Sequence, residues 1–165
     1  MQVQKNVADQ WQKITGNVLS VGYGLSETSP AASIDPIGVK EFSDTLGLPL
    51  PSTEISIQDD KGNLLNFNEP GEICIRGPQV MKGYWNDKTA TDQTIKNGWL
   101  HTGDLVEVDE DQYIKITGRK KEIIVNLGGD NISPSKIENL LCLNEKIKQS
   151  FIYGDKKTYL VALIV

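Results

Sequence analysis

From about Gly47 to Thr117 the chain is cut into short segments by closely spaced turn residues, and that spacing points to a small, curled β subdomain. Glu54-Ile55-Ser56-Ile57-Gln58 alternates apolar and polar positions. It then meets Asp59-Asp60-Lys61-Gly62-Asn63, a cluster of turn formers. Pro70-Gly71 precedes a strand over Glu72–Arg76. Leu105–Val108 and Tyr113–Ile116 flank Asp109-Glu110-Asp111-Gln112 as a hairpin. One short helix is expected near Lys88–Ile95, with Asp87 as its N-cap.

The flanks differ from this middle stretch. Residues 1–15 place Val3, Val7, Trp11 and Ile14 on one helical face, and Gly16-Asn17 is a stop signal. Val18–Tyr23 reads as a buried strand whose small terminal residues leave room for a ligand. Beyond Gly118–Lys121, Glu122–Leu127 reads as an apolar strand and Gly128-Gly129-Asp130-Asn131 as a tight loop. A helix starts at Ser133 or Pro134. Strands follow at Ser150–Tyr153 and Tyr159–Val165, the last with an apolar edge.

Bulk properties exclude several function classes. Hydrophobic residues make up 38% and charged residues 24%, as in an ordinary globular protein. A net charge of −5, with no basic run longer than Arg119-Lys120-Lys121, leaves no nucleic-acid footprint. Cys74 and Cys142 sit in apolar segments without metal spacing and read as buried packing thiols, which suits a reducing cytoplasm. No signal-peptide core or membrane-length apolar run occurs, so membrane contact is at most peripheral, at the inner face.

Four motifs carry the chemistry: Tyr23-Gly24-Leu25-Ser26-Glu27, Gly98-Trp99-Leu100-His101-Thr102-Gly103-Asp104, Gly118-Arg119-Lys120-Lys121-Glu122 and Gly128-Gly129. Singly, each has a plain structural meaning. The first is a strand end, a turn and a surface Glu. The second is a loop shaped by Trp99 and His101, with Asp104 as a helix or turn cap. The third is a basic surface linker. The fourth is a strand-to-helix turn that uses glycine for positive φ. His101, the only histidine, has no Ser, Cys or Asp placed beside it by spacing.

In this order and at these separations, the four motifs resemble those of the adenylate-forming (AMP-binding) superfamily. The chain is similar, nearly end to end, to bacterial long-chain fatty-acid–CoA ligases. Val3–Gly16, Gly47–Glu54, Gly77–Met81 and Ile95–Asp104 carry that likeness; Asn131–Glu138 and Tyr159–Val165 resemble long-chain ligases of another branch. Such ligases activate a fatty acid as an acyl-adenylate with ATP and Mg²⁺, then pass the acyl group to coenzyme A. The resemblance implies that Tyr23 stacks on adenine, that Gly24 lets the backbone approach the base and that Ser26 donates to phosphate. Ser26 stands where the family usually has Thr, so the hydroxyl is kept. Glu27 would hold Mg²⁺, a hard cation suited to carboxylate. Asp104 would accept from both ribose hydroxyls, and Arg119 would reach ribose or phosphates. Lys121 would be the hinge, and Gly128 and Gly129 would line the coenzyme A tunnel. Gly71–Pro78 and Gly83-Tyr84-Trp85 also match the family and are assigned to β structure, not chemistry.

The fold class implied is α+β: the end of a large N-terminal domain with a small distorted β-barrel subdomain, then the start of a small α+β C-terminal domain. Residues 1–46 would close the nucleotide-binding subdomain, 47–118 would form the β subdomain, and 119–165 would carry the hinge and the start of the C-terminal domain. The family's phosphate loop and catalytic lysine do not occur in the sequence. The chain is therefore expected to be an internal fragment, inactive as a ligase alone, with a complementary chain fragment as a conceivable partner. The alternative is a non-enzymatic remnant or a nucleotide-binding module.

Overall fold

The computed structural model describes residues 3–43, 45–110, 113–144 and 146–165. Met1 and Gln2, at the start of the expected helix, and Asp111 and Gln112, at the tip of the expected hairpin, lie outside them. The fold is α+β, and the chain divides into two compact units, Met1–Ile116 and Thr117–Val165.

The first unit opens with helix α1 (Lys5–Thr15). Gly16 ends it in the left-handed region at φ 73°, and its N–H returns to the carbonyl of Gln12 at 2.9 Å. Ala8 is buried, while Val7, Trp11 and Ile14 of the apolar stripe are exposed. Strands β1 (Gly22–Gly24), β2 (Ala31–Ile34) and β3 (Leu48–Pro49) form one antiparallel sheet in that order. The expected strand over Val18–Tyr23 is thus confined to its end. At Val21 the ladder gives way to a side chain: Asp35 donates its N–H to the Val21 carbonyl at 2.8 Å and accepts the Val21 N–H on Oδ2 at 2.7 Å. A carboxylate takes the position of a neighbouring strand there.

The turn-rich middle forms a second antiparallel sheet. It comprises β4 (Glu54–Gln58), β5 (Gly71–Arg76), β6 (Ile95–Lys96), β7 (Trp99–Val108) and β8 (Ile114–Arg119), with helix α2 (Lys88–Thr94) before β6. The order is β4-β5-β7-β6, with β8 also paired to β7, and the sheet curls as a half-barrel. Asp87 caps α2 as expected, Oδ1 accepting the Ala90 N–H at 2.8 Å. The turn after β4 is organised by Asp59, whose carboxylate accepts from the N–H groups of Lys61 and Asn63. β5 is buried from Gly71 to Ile75. Its Ile73 and Ile75 join Tyr23, Ala32, Leu46, Ile57, Leu100, Val106 and Ile114 in one continuous core. The two sheets of this unit therefore share an interior to which Tyr23, a motif residue, belongs.

In the second unit, the backbone after Arg119 makes a short 3-10 turn over Lys120–Glu122. The expected strand over Glu122–Leu127 shrinks to β9 (Ile124–Val125), paired with β10 (Asn131–Ile132). The cause is local. Ile123 donates back to the Arg119 carbonyl, and Asn126 folds into the turn, its Oδ1 accepting the Asp130 N–H at 2.9 Å. Helix α3 (Pro134–Leu141) starts with proline in its first turn, where no N–H is needed. β11 (Ser150–Tyr153) and β12 (Val161–Ile164) form an antiparallel hairpin against which α3 packs. Both cysteines are buried, and neither is in a disulfide. Among the described residues no helix is long and apolar enough to cross a membrane.

Candidate functional site

Tyr23 and Asp104 lie 81 residues apart in sequence, and the core brings them together. The Tyr23 hydroxyl donates to Oδ2 of Asp104 at 2.6 Å, and both residues are buried. Tyr23 reaches Asp104 because it is the one buried residue of β1 and belongs to the same core as Ala32 and Leu46. Asp104 is buried because it belongs to β7. Trp99 and His101 also stand in β7, so the segment expected as a loop is the first half of a ten-residue strand. Cross-strand pairing with β5 imposes this, and the pairing partners are too distant in sequence to show in the motif itself. The Trp99 ring carries the Arg76 guanidinium 4.6 Å from its centroid, and Arg76 also pairs with Glu54. That pair holds the Glu54 carboxyl below its ordinary range.

Gly24 has a steric cause. A Cβ there would lie 1.7 Å from the Pro30 carbonyl oxygen, so only glycine fits where β1 meets the following turn. Ser26 and Glu27 stand in that turn, a single 3-10 turn over Ser26–Thr28. Thr28, fully buried, fixes it: Oγ1 accepts the Leu25 N–H at 2.9 Å and lies 2.7 Å from the Pro30 carbonyl, to which it donates. Glu27 is held twice by the segment after β5. Its carbonyl accepts the Met81 N–H at 2.8 Å, and its Oε1 accepts the Tyr84 hydroxyl at 2.7 Å. The adjacent carboxylate raises the Tyr84 phenol above its ordinary range. Oε1 of Glu27 thus accepts a hydrogen bond from the phenol, and a carboxylate oxygen is a ligand suited to a hard divalent cation such as Mg²⁺.

His101 is not isolated. Its Nδ1 lies 3.1 Å from Oε2 of Glu72 and 3.4 Å from Sγ of Cys74, its direct cross-strand partner. The absence of partners expected from spacing is thereby corrected: they come from β5, 27 and 29 residues away. These three groups offer metal-type ligand atoms within 4.8 Å of one another. However, Oε1 of Glu72 already accepts the Gly103 N–H at 2.8 Å, and Oε2 faces His101. A carboxylate beside Nδ1 selects the tautomer with the proton there, so the cluster acts as a hydrogen-bonded lock between strands. Glu72 and Tyr84, first assigned to β structure alone, therefore touch the two motif carboxylate segments. The signal for them was the family match over Gly71–Pro78 and Gly83-Tyr84-Trp85.

The remaining motif residues fall in the second unit or at its edge. Arg119 ends β8 and is exposed, and Lys121 is exposed in the 3-10 turn. Gly128 and Gly129 lie in the turn joining β9 to β10, a hairpin rather than a strand-to-helix connection. Gly129 has the positive φ, 90°, with open space around its missing Cβ, whereas Gly128 does not adopt that conformation.

Comparison with known proteins gives a consistent picture. The family model described as AMP-binding enzyme matches residues 1–85, just over half of the chain. A long-chain-fatty-acid–CoA ligase of Yersinia pestis is 45% identical over 154 residues, which is 93% of this chain and 27% of that protein. A ligase of the same name from Bacillus subtilis is 41% identical over the same shares. The chain thus spans about a quarter of the length of the curated relatives it matches. Among solved structures, an ATP-bound RpMatB-BxBclM chimera superposes with a TM-score of 0.88 at 27% identity, over 99% of this chain and 33% of the other. O-succinylbenzoate coenzyme A synthetase from Bacillus subtilis, in complex with ATP and magnesium ion, gives 0.84 at 28% identity over 98% and 34%.

Proposed function

Because the chain belongs to the AMP-binding enzyme family, we propose that it supplies the adenosine-facing part of the site of a long-chain fatty-acid–CoA ligase. The observation that carries this reading is the buried hydrogen bond between Tyr23 and Asp104, which unites two of the motifs in one place. Asp104 receives the ribose hydroxyls, Tyr23 lies against adenine, Gly24 leaves the backbone clear and Ser26 donates to phosphate. Arg119 assists at ribose or phosphate, Lys121 is the hinge, and Gly128 and Gly129 face the pantetheine arm of coenzyme A. Residues 1–46, 47–118 and 119–165 then correspond to the end of a nucleotide-binding subdomain, a β subdomain, and a hinge with the start of a C-terminal domain.

In the reaction the fatty-acid carboxylate attacks the α-phosphate of ATP, and the bond to pyrophosphate breaks. The thiol of coenzyme A then attacks the acyl carbonyl, and AMP leaves. This chain's residues orient the adenosine half of that sequence, fixing the ribose so that the α-phosphate meets its nucleophile in line. Glu27 is the residue that would hold Mg²⁺, which when bound neutralises charge on the phosphates. Its carboxylate, shared with the Tyr84 hydroxyl, fits a hard cation.

Calorimetric titration of the chain with ATP and Mg²⁺ tests this. D104A is expected to weaken ATP binding roughly tenfold or more, since hydrogen bonds to a charged group are lost. Equal affinity in D104A and the parent chain would overturn the assignment.

A further inference from the structure

We propose that Glu72 is a positioning residue that sets Asp104 for the ribose, an inference that rests on the reading of Asp104 given above. β5 and β7 pair at Cys74 with His101 and again at Glu72 with Leu105. Between those points β5 has one residue, Ile73, whereas β7 has three: Thr102, Gly103 and Asp104. A mismatch of that kind takes backbone donors out of the ladder and re-aims the side chains on the longer strand. Gly103 adopts φ 76° within it.

Side chains recover the donors. The Gly103 N–H goes to Oε1 of Glu72 at 2.8 Å. The Asp104 N–H goes to Oγ1 of Thr102 at 3.1 Å, and the Thr102 hydroxyl donates to the Ile73 carbonyl at 2.8 Å. The other oxygen of Glu72 lies 3.1 Å from Nδ1 of His101. Glu72 is 6% exposed, and a carboxylate stays buried only when its oxygens are engaged by donors. Here the donors are the middle of the bulge and the one histidine of the chain. Glu72 therefore ties the bulge to β5 one residue before Asp104. Tyr23 steadies the carboxylate tip from another element. Side-chain end and backbone end are fixed separately, and Glu72 fixes the backbone end.

The test compares the affinity of the full chain for ATP and for 2′,3′-dideoxy-ATP, by calorimetry. The unsubstituted chain should prefer ATP by roughly tenfold or more. E72A should lose that preference, whereas E72Q should keep it, because the amide carbonyl still accepts the Gly103 N–H. E72M fills the volume without an acceptor and carries the comparison if E72A does not fold; it too should lose the preference. A preference that survives in E72A or E72M leaves the ribose reading of Asp104 standing and overturns the positioning role. Absence of any preference in the unsubstituted chain overturns the ribose reading, and the proposal with it.

Discussion

Asp104 sits in the middle of a ten-residue strand with 6% of its surface exposed, whereas Glu27 sits in a three-residue turn and reaches out to the exposed Tyr84. Neighbours from two strands brace Asp104: Glu72 acts through Gly103, and Tyr23 acts directly. Glu27 is tied by its backbone to Met81 and by its side chain to one phenol. The rigid mounting suits a group that must fit the fixed geometry of a sugar. The looser one suits a ligand to a metal ion whose position depends on phosphates that arrive with the substrate. Preorganisation in this site is thus uneven, strongest at the proposed ribose end and weakest at the proposed metal.

The largest expected effect tests whether the looser region is loose throughout. Gly24→Ala should destabilise the chain by about 3 kcal/mol or more in urea unfolding, because its Cβ would overlap backbone atoms that cannot yield. A loss no larger than about 1 kcal/mol, the low end of overpacking costs, would show that the turn adapts. The next pair sets the two regions side by side. Tyr23→Phe removes a donor from a buried carboxylate and should cost about 1.5–3 kcal/mol. Tyr84→Phe, at an exposed site, should cost about 0.5 kcal/mol or less. Equal losses would erase the contrast.

The smallest effect concerns a third carboxylate. Asp59 is exposed, yet it accepts from the Asn63 side chain and from the N–H groups of Asn63 and Lys61, and these bonds lower its pKa below the ordinary 3.8. Since the folded value is depressed, its stabilisation is present above the unfolded value and is lost as pH falls through the folded one. Side-chain NMR titration should place the midpoint below 3.8. An unshifted midpoint would mean that exposure alone, not the number of donors, decides how firmly a carboxylate is held.

Local chemistry was legible in the sequence wherever one short segment decides the outcome. Gly16 ends α1, Asp87 caps α2, Pro134 opens α3, and the Asp59–Asn63 cluster turns the chain. The motifs that identify the family were equally plain. What could not be read was pairing between distant strands. Nothing near His101 announces Glu72 or Cys74, and nothing in Gly98–Asp104 says that it lies in a strand. Val18–Val21 looked like a strand because it is apolar, but its partner at Val21 is the side chain of Asp35. Gly24 was legible as a necessary glycine but not for its reason, which is a carbonyl six residues later.

Each compact unit holds one buried thiol, Cys74 in β5 and Cys142 at the end of α3. A thiol reagent cannot reach either without an opening of the unit around it. The rate at which each is labelled is therefore a clock for that unit alone, and mass spectrometry of the two cysteine peptides would read both clocks in one sample. Cys74 times the breathing of the sheet that carries Asp104, and Cys142 that of the helix and hairpin beyond Arg119.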